Sequence, residues 1–339
     1  MKLLSIAVPS YNSQDYLRRC LDSLVVGGED VEIIVIDDGS KDHTADIARE
    51  YVARYPGIVR LEQKENGGHG SAVNRGLDVA TGIYYKVVDS DDWLDYDAYM
   101  RVLDCLLKEE ATGVSLDLLI VNYVYEYFYN GTRNIVNYSN VFPQNCRFGW
   151  EYLRKMRISQ LLLMHSLIYR TELLHDCGVR LPEHTFYVDN IIAYQPLPFA
   201  KQIMYVDADF YRYFIGRPDQ SVNTSNMIKR IDQQLLVTRT LLHFYHLDQD
   251  VQDPYLRRYM YRYMSMMVTI TIVHLVLADN DVSTEKITQL WQDIRQYDLR
   301  TYRIIRRNFI NRAISIPGRS GRFLTRKGFS LARRIYKFS

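Results

Sequence analysis

The sequence predicts an α/β fold with a mixed, mainly parallel sheet, followed by a C-terminal helical extension. Two observations lead to this class. In the first hundred residues, short apolar runs alternate with stretches of helical periodicity, which is typical of parallel strands joined by crossover helices. From residue 226 onward the periodicity is helical and strand patterns are missing.

The first predicted strand is residues 3–11, LLSIAVPSY, an apolar run that ends in a proline and polar side chains. This run is too short for a signal peptide and is typical of a buried strand. Residues 13–26 then repeat apolar side chains at helical spacing, from Tyr16 to Leu24. We therefore expect the chain to begin with a strand and a crossover helix.

Two further strand–helix pairs and a fourth strand follow in the same alternation. In chain order, the predicted elements are the strand 31–39, the helix 40–55, the strand 57–63, the helix 67–82 and the strand 83–92. In a parallel sheet, ligands bind at the carboxyl ends of the strands. Polar clusters follow the strands at residues 9–11, 37–38 and 89–91, so this edge is the predicted ligand site.

The composition is that of a folded globular protein. The 339 residues are 47% hydrophobic and 24% charged, and the length suggests two or three structural units. The four cysteines lack metal-ligand spacing and are too few for a disulfide scaffold. The longest apolar stretch, residues 264–278, is shorter than the roughly 20 residues of a bilayer span and is interpreted as a buried core helix.

Asp89, Asp91 and Asp92 bring three carboxylates to the end of an apolar strand, at a cost in repulsion and desolvation. Alternate strand side chains share a face, so Asp89 and Asp91 are expected on one side. A divalent ion relieves this repulsion, since Mg²⁺ and Mn²⁺ join carboxylates to substrate phosphates. A solvated turn in which Asp92 caps the next helix is the alternative interpretation.

Four segments together resemble a known family: VPSYN at 8–12, DDGSKDHT at 37–44, NGGHGSAVNRG at 66–76 and DSDD at 89–92. Their order and spacing are similar to those of the family 2 glycosyltransferases, whose nucleotide-binding fold is of the GT-A type. The resemblance covers about residues 1–225. It implies a GT-A catalytic domain over 1–225 with a nucleotide-sugar-binding half (1–104) and an acceptor-binding half (105–225), then a helical region (226–299) and a basic amphipathic segment (300–339).

The resemblance also implies which residues meet the donor. Pro9 and Tyr11 belong to the segment that lines the nucleobase pocket in this family, and Asp38 matches the acid that contacts the nucleoside. Carboxylates suit this role because they accept hydrogen bonds from ribose hydroxyls and nucleobase N–H groups.

Asn66 and Gly68 belong to the glycine-rich turn, whose backbone amides can approach the donor closely. Asp89 matches the first acid of the family's DxD motif, near the ribose. Asp91 matches the second acid, the ligand of the Mn²⁺ or Mg²⁺ ion that holds the donor diphosphate.

The glycine-rich segment departs from the family pattern. Many relatives carry Ala-Arg-Asn with an arginine towards the nucleotide, and here Val73 stands in place of that arginine. Arg75 is the predicted substitute donor contact. His69 taking over part of the role, loss of the contact, and a plain surface charge at Arg75 are the alternatives.

Asp189 is the predicted catalytic base. Relatives often carry Glu-Asp at the start of a helix facing the acceptor, and here Val188 replaces the glutamate while Asp189 keeps the aspartate position. One carboxylate suffices to take the proton of the acceptor hydroxyl as it attacks C1 of the donor sugar. A helix cap at Asp189 is the structural alternative.

A further segment, YRYFIGRPDQSVN at 211–223, resembles the loop that folds over the donor or acceptor in relatives. Arg212 and Arg217 are candidates for contacts with phosphate oxygens. Gln220 and Ser221 are candidates for hydrogen bonds to sugar hydroxyls. A charged surface loop would look similar.

The C-terminal segment is strongly basic. Residues 300–339 carry twelve Arg and Lys and no acid, whereas the rest of the chain carries 30 basic and 40 acidic side chains. The basic residues alternate with Ile, Phe, Leu and Tyr, a pattern that favours an anionic membrane surface. An acidic polymer, a partner protein or a solvated tail are the alternatives.

The sequence therefore predicts an inverting, metal-dependent glycosyltransferase in cell-surface polysaccharide or glycolipid synthesis. The expected partners are a nucleotide-sugar donor, with UDP favoured, a saccharide or lipid-linked acceptor, and the inner face of the cell membrane as a peripheral cytoplasmic site. Nucleic acid is not an expected partner, and homo-oligomerisation is left open. A non-catalytic sugar- or membrane-binding scaffold and a nucleotidyltransferase are the alternative functions.

Overall fold

The computed structural model describes residues 2–127, 129, 131–157, 159–216, 224–278, 281–314, 323 and 325–328. The chain divides into two compact units, Met1–Ile215 and Gly216–Ser339. The first unit contains the sheet, and the described part of the second is helical. The functional roles predicted for the individual segments are separate from this division and stay predictions.

Ten strands of the described residues form one sheet in the order β3-β2-β1-β4-β9-β6-β10-β5, with β7 beside β6 and β8 beside β10. The strands are β1 (Leu4–Ser10), β2 (Val31–Asp37), β3 (Val59–Gln63), β4 (Tyr84–Val87), β5 (Trp93–Leu94), β6 (Leu118–Tyr127), β7 (Arg133–Val136), β8 (Arg147–Phe148), β9 (Leu167–Arg170) and β10 (Ile203–Ile215).

The β3-β2-β1-β4 half is parallel. All residues of β1 and β2 are buried, as expected for strands that are covered on both faces. Their register pairs Ser10 with Asp37, so the carboxyl ends of β1 and β2 lie side by side. This register brings the polar clusters after the two strands to one edge of the sheet.

The other half makes the sheet mixed. β9 runs antiparallel to both β4 and β6, and β10 runs parallel to β6. The predicted α/β class with a mixed sheet is confirmed, and its parallel part is concentrated in the half that contains the predicted nucleotide-binding segments.

Helices connect and cover these strands in the first unit. They are α1 (Leu17–Leu24), α2 (Thr44–Arg54), α3 (His69–Val79), α4 (Tyr96–Glu110), α5 (Thr171–Asp176) and α6 (Asp189–Tyr194). The helix α3 approaches β1 so closely that a Cβ atom at Gly76 would lie 2.7 Å from Cβ of Ala7 and 3.1 Å from Cδ1 of Ile36. Glycine at this position therefore fixes how deeply α3 sits on the sheet.

The second unit contains α7 (Thr224–Lys229), α8 (Ile231–His243), α9 (Leu247–Asp250), α10 (Pro254–Ala278), α11 (Asp281–Tyr297), α12 (Leu299–Arg307) and α13 (Phe309–Ile314). Of the described helices, α10 is long and apolar enough to cross a membrane, but 67% of its apolar window is buried. Inside the unit, the Thr271 hydroxyl of α10 lies 2.9 Å from that of Thr238 on α8. This burial is the pattern of a core helix.

We predict that Gly76→Ala destabilises the protein. The added methyl group must displace Ala7 or Ile36, and overpacking of this kind costs about 1–3 kcal/mol, partly offset by the better helix propensity of alanine, about 1 kcal/mol. Urea unfolding measures the change. Arg101→Ala on the exposed face of α4 is the control, and equal stability of the two variants would contradict the tight packing of α3 on β1.

Candidate active site

Hydrogen bonds join the predicted polar clusters at the carboxyl edge of the parallel strands. The amide of Asp38 donates to the carbonyl of Ser10 at 2.9 Å, and the hydroxyls of Ser13 and Ser90 lie 2.7 Å apart. Pro9 is buried inside β1, whereas Tyr11, which follows the strand, is exposed. The segments after β1, β2 and β4 therefore meet at one place.

The buried carboxylate of Asp38 organises the glycine-rich turn. It accepts hydrogen bonds from the amides of Gly67 and Gly68 at 2.9 and 2.7 Å, from Nδ2 of Asn66 at 3.0 Å and from Nζ of Lys64 at 2.8 Å. These four donors come from within five residues of chain. Asp38 thus fixes the turn that leads into α3.

The same turn receives the segment that precedes α6. The amide of His184 donates to the carbonyl of Gly67 at 2.6 Å. Gly68 has φ +83°, and a Cβ atom there would lie 3.1 Å from the amide nitrogen of His184. At Gly70, a Cβ atom would lie 2.5 Å from the carbonyl oxygen of Pro182. The glycines are needed for this close backbone approach.

Side chains of α3 hold the same segment in place. Asn74 pairs with the backbone of Leu181 in both directions, donating to its carbonyl and accepting from its amide at 2.9 Å each. The hydroxyl of Ser71 donates to Glu183 at 2.6 Å. These contacts set the position from which α6 begins, and Asp189 is the first residue of α6.

His69, the first residue of α3, contacts the first acid of the DxD motif. Its Nε2 lies 2.9 Å from Oδ1 of Asp89, and both side chains are partly exposed. Desolvation opposes protonation of His69, but the hydrogen bond and charge of Asp89, with the charges of Asp189 and Asp91, raise its pKa. Desolvation alone would raise the pKa of Asp89. The hydrogen bond and the charge of His69 contribute to lowering it, and the net shift is downward.

Asp189 lies within electrostatic range of this pair. Desolvation raises the pKa of Asp189, and the charge of Asp89 adds to this rise, while the charge of His69 reduces it. A carboxylate with a raised pKa is a better proton acceptor than an ordinary aspartate. The site therefore combines a carboxyl group of raised pKa at Asp189 with a histidine of raised pKa at His69.

The other two acids of the motif differ in environment. Asp92 is fully buried and accepts hydrogen bonds from the Tyr211 hydroxyl at 2.6 Å and the Phe214 amide at 2.8 Å. Desolvation, followed by the charges of Asp91 and Asp89, raises its pKa well above the usual value. Asp91 is partly exposed, and its carbonyl accepts from Arg19 at 2.6 Å. Asp92 thus holds the segment after β4 in place, whereas Asp91 is partly exposed.

The residues fit a divalent metal ion. Ligand atoms of Asp89, Asp92 and His165 lie within 4.8 Å of one another, and the buried Nδ1 of His165 has no hydrogen-bond partner. Carboxylate oxygens are the ligands that Mg²⁺ and Mn²⁺ prefer. Both oxygens of Asp92 already accept hydrogen bonds, whereas Asp89 contacts His69 through Oδ1, so Asp89 is the carboxylate of this group that is better able to bind an ion.

Two arginines that were predicted to contact the donor form ion pairs with acidic side chains of the protein. Arg75 forms an ion pair with Glu62 of β3 through its Nη2 at 2.6 Å. Arg212 is largely buried and bridges Asp95 at 2.7 Å and Glu126 at 3.0 Å. His69, and not Arg75, contacts Asp89. Contact of Arg75 or Arg212 with the donor stays a prediction. Arg217, Gln220 and Ser221 lie outside the described residues.

Two buried groups beneath the motif were not identified from the sequence. Nζ of Lys86 donates to the carbonyls of Met164 and His165 at 2.8 Å each, and burial lowers its pKa to about 7. The His165 ring stacks on Tyr211 at 4.5 Å, and burial lowers its pKa to about 4. A lysine inside the apolar run YYKVV was the available signal for this arrangement.

Comparisons with known proteins agree with this geometry. The model of the family described as Glycosyl transferase family 2 matches residues 5–170. The putative glycosyltransferase EpsH of Bacillus subtilis is 26% identical over 239 residues, which cover 68% of this chain and 64% of that protein. The poly(ribitol-phosphate) beta-glucosyltransferase of Bacillus spizizenii is 39% identical over 120 residues, 34% of this chain and 19% of that protein.

Among solved structures, residues 1–349 of S. aureus TarS with UDP-GlcNAc share the fold, with a TM-score of 0.64 and 19% identity. The match covers 97% of this chain and 92% of that chain. The chain spans less than two thirds of the length of the first curated relatives that it matches.

The mixed sheet and the fold shared with TarS thus confirm the predicted GT-A fold. The matched segment, residues 5–170, belongs to glycosyltransferase family 2, as the resemblance of its motifs predicted.

We predict that Asp89→Asn lowers the pKa of His69. The substitution removes the hydrogen bond and the charge of Asp89, which raise this pKa, while the desolvation that lowers it remains. NMR titration of the His69 ring protons measures the shift. Asp176→Asn, an exposed acid of α5, is the control, and an unchanged His69 pKa in Asp89→Asn would contradict the pairing.

Proposed function

We propose that this chain transfers one sugar, with inversion, from a nucleotide-diphosphate donor to a hydroxyl group of a saccharide or lipid-linked acceptor. UDP is the expected nucleotide. The observation that supports the proposal best is that the segment before Asp189 packs on the glycine-rich turn, from which His69 pairs with the DxD acid Asp89.

In the proposed reaction Asp189 is the only base that the chemistry requires. The acceptor oxygen attacks C1 of the donor sugar as Asp189 takes the hydroxyl proton. The bond between C1 and the phosphate oxygen breaks, and the diphosphate leaves with the electron pair. Attack opposite the leaving group inverts the configuration at C1. The raised pKa of Asp189 favours this proton transfer.

Pro9, Tyr11 and Asp38 are proposed to form the nucleoside end of the donor site. Asp38 would act mainly through the turn that it holds, since its carboxylate already binds the amides of Gly67 and Gly68. The turn itself, with Asn66 and Gly68, would then meet the donor. This assignment makes Asp38 a positioning residue for the donor-binding backbone.

Asp91 is the proposed metal ligand, with Asp89 beside it near the ribose. A divalent ion held there would supply positive charge that stabilises the departing diphosphate. Mn²⁺ and Mg²⁺ both suit carboxylate oxygens.

The proposed acceptor is a growing cell-surface polymer or glycolipid at the cytoplasmic face of the membrane. The names of the relatives support this, since one is a poly(ribitol-phosphate) beta-glucosyltransferase. The basic, amphipathic residues after 300 support a peripheral membrane location.

We predict that Asp189→Asn reduces sugar transfer by about 10²–10⁴-fold, because an amide cannot accept the acceptor proton. The measurement is transfer from a matched UDP-sugar to an acceptor extract, with donor affinity followed separately. Donor affinity should stay within about threefold of the parent protein, since general-base catalysis is not a donor contact.

Asp176→Asn is the matched control and should retain full activity. Undiminished transfer by Asp189→Asn would refute its role as base. Absence of transfer or donor hydrolysis by the parent protein with every nucleotide sugar would favour the non-catalytic scaffold.

We also predict that donor binding depends on metal through Asp91. A matched UDP-sugar at 100 times its dissociation constant stabilises the protein by about 2.7 kcal/mol. A thermal-shift screen with Mn²⁺ should detect this gain, and a chelator or Asp91→Asn should remove most of it. Equal shifts with and without the ion would contradict metal-dependent donor binding.

A further inference from the structure

The second unit contains a cavity of about 370 Å³ that the reaction does not use. It lies within the described helices of that unit, lined by α10 from its first turn onward, by α12 and by residues next to them. Four of its ten lining residues are arginines: Arg257, Arg258, Arg262 and Arg300. Asp248 is the one acid among them, so the lining has a formal charge of +3.

Asp248 compensates only part of this charge. Its carboxylate pairs with Arg300 at 2.8 Å and with Arg257 at 3.5 Å, and it accepts from the Tyr261 hydroxyl at 2.9 Å. Arg258 is exposed and has no ion-pair partner among the described residues. The acid therefore orients two arginines and leaves the cavity positive.

Arg258 and Arg262 lie four residues apart on α10, so their side chains share one helix face. Like charges at this spacing are destabilising. Desolvation lowers the pKa of Arg262, and the charge of Arg258 lowers it further. An anion bound between the two guanidinium groups would relieve this repulsion, and arginine binds phosphate oxygens through two parallel hydrogen bonds.

Exposed apolar side chains border the cavity. Ile304 is in its lining and 38% exposed, and Phe309, directly after the lining residue Asn308, is 85% exposed. Ile310 and Tyr255 are exposed as well. Basic residues with exposed apolar and aromatic neighbours are typical of helices that lie in the membrane interface.

We propose that this cavity binds the phosphate group of an anionic phospholipid and that Ile304, Phe309 and Ile310 enter the adjoining lipid layer. The inference deepens the membrane location in the proposed function, on which it rests, and extends the contact from the basic segment 300–339 to the arginines of α10. A soluble phosphate polymer would satisfy the arginines but would gain little from the exposed Phe309, so the lipid is favoured.

The test is co-sedimentation of the full chain with phosphatidylcholine vesicles, with and without phosphatidylglycerol. We expect binding only to the anionic vesicles. Arg258→Gln with Arg262→Gln should weaken that binding by on the order of tenfold or more, since each basic residue near such a surface contributes measurably. Phe309→Ser should also weaken it, which a purely electrostatic attachment would not show.

Arg303→Gln with Arg307→Gln is the matched control, because these exposed arginines are likewise four residues apart on one helix, α12, and lie outside the cavity lining. It should weaken binding by less than about threefold if the cavity, rather than the summed charge, sets affinity. Arg258→Lys with Arg262→Lys should retain most of the binding. Circular dichroism melting confirms that each variant is folded.

Equal losses in the two glutamine pairs, or equal binding to neutral and anionic vesicles, would overturn the proposal. Binding of soluble poly(glycerol phosphate) without binding of vesicles would overturn the lipid assignment and indicate an acceptor polymer. The vesicle assay contains no sugar donor, so failure of the proposed transfer reaction leaves its result intact. Loss of vesicle binding likewise leaves the donor thermal shift unchanged.

Discussion

The candidate active site depends on one buried carboxylate. Asp38 gathers two backbone amides and two side-chain nitrogens from residues 64–68, and so holds the glycine-rich turn at the carboxyl edge of the sheet. A buried carboxylate is stable only when such donors surround it. Because the turn is fixed, α3 starts at a fixed point and His69 reaches Asp89. The segment leading to Asp189 packs on the same turn through Gly68 and Gly70. The carboxylate of Asp38 thus supports both sides of the site.

The acids after β4 are separated by their environments. Asp92 is held by Tyr211 and Phe214, Asp89 is compensated by His69, and Asp91 remains partly exposed. Three neighbouring carboxylates therefore lie in three different environments: one is buried and hydrogen-bonded, one pairs with a histidine and one is partly exposed. Desolvation raises the pKa of Asp92, whereas His69 lowers the pKa of Asp89. This division explains how like charges are tolerated at the end of an apolar strand.

The sequence predicted much of the fold, because the buried parallel strands appear as apolar runs and the helices between them have clear periodicity. The motif order also identified the family. What it could not predict were contacts made across long stretches of chain. Nothing local shows that Arg212 bridges Asp95 and Glu126, or that Arg75 pairs with Glu62. His69 was named only as one alternative, since its contact with Asp89 depends on the tertiary position of α3. The cavity in the second unit was also hidden, because its arginines come from two helices and form no continuous basic run.

Asn74 has a consequence for building chimeric enzymes. The side-chain amide of Asn74 forms two hydrogen bonds with the backbone of Leu181, which lies 107 positions later in the chain. The glycine-rich segment and the segment before α6 are therefore joined through one side chain and the backbone of one residue. A graft of residues 105–225 from another family member would keep its alignment only if the recipient offers an amide side chain at position 74. Exchange of these parts between family members is thus limited by the contact of Asn74 in α3 with Leu181.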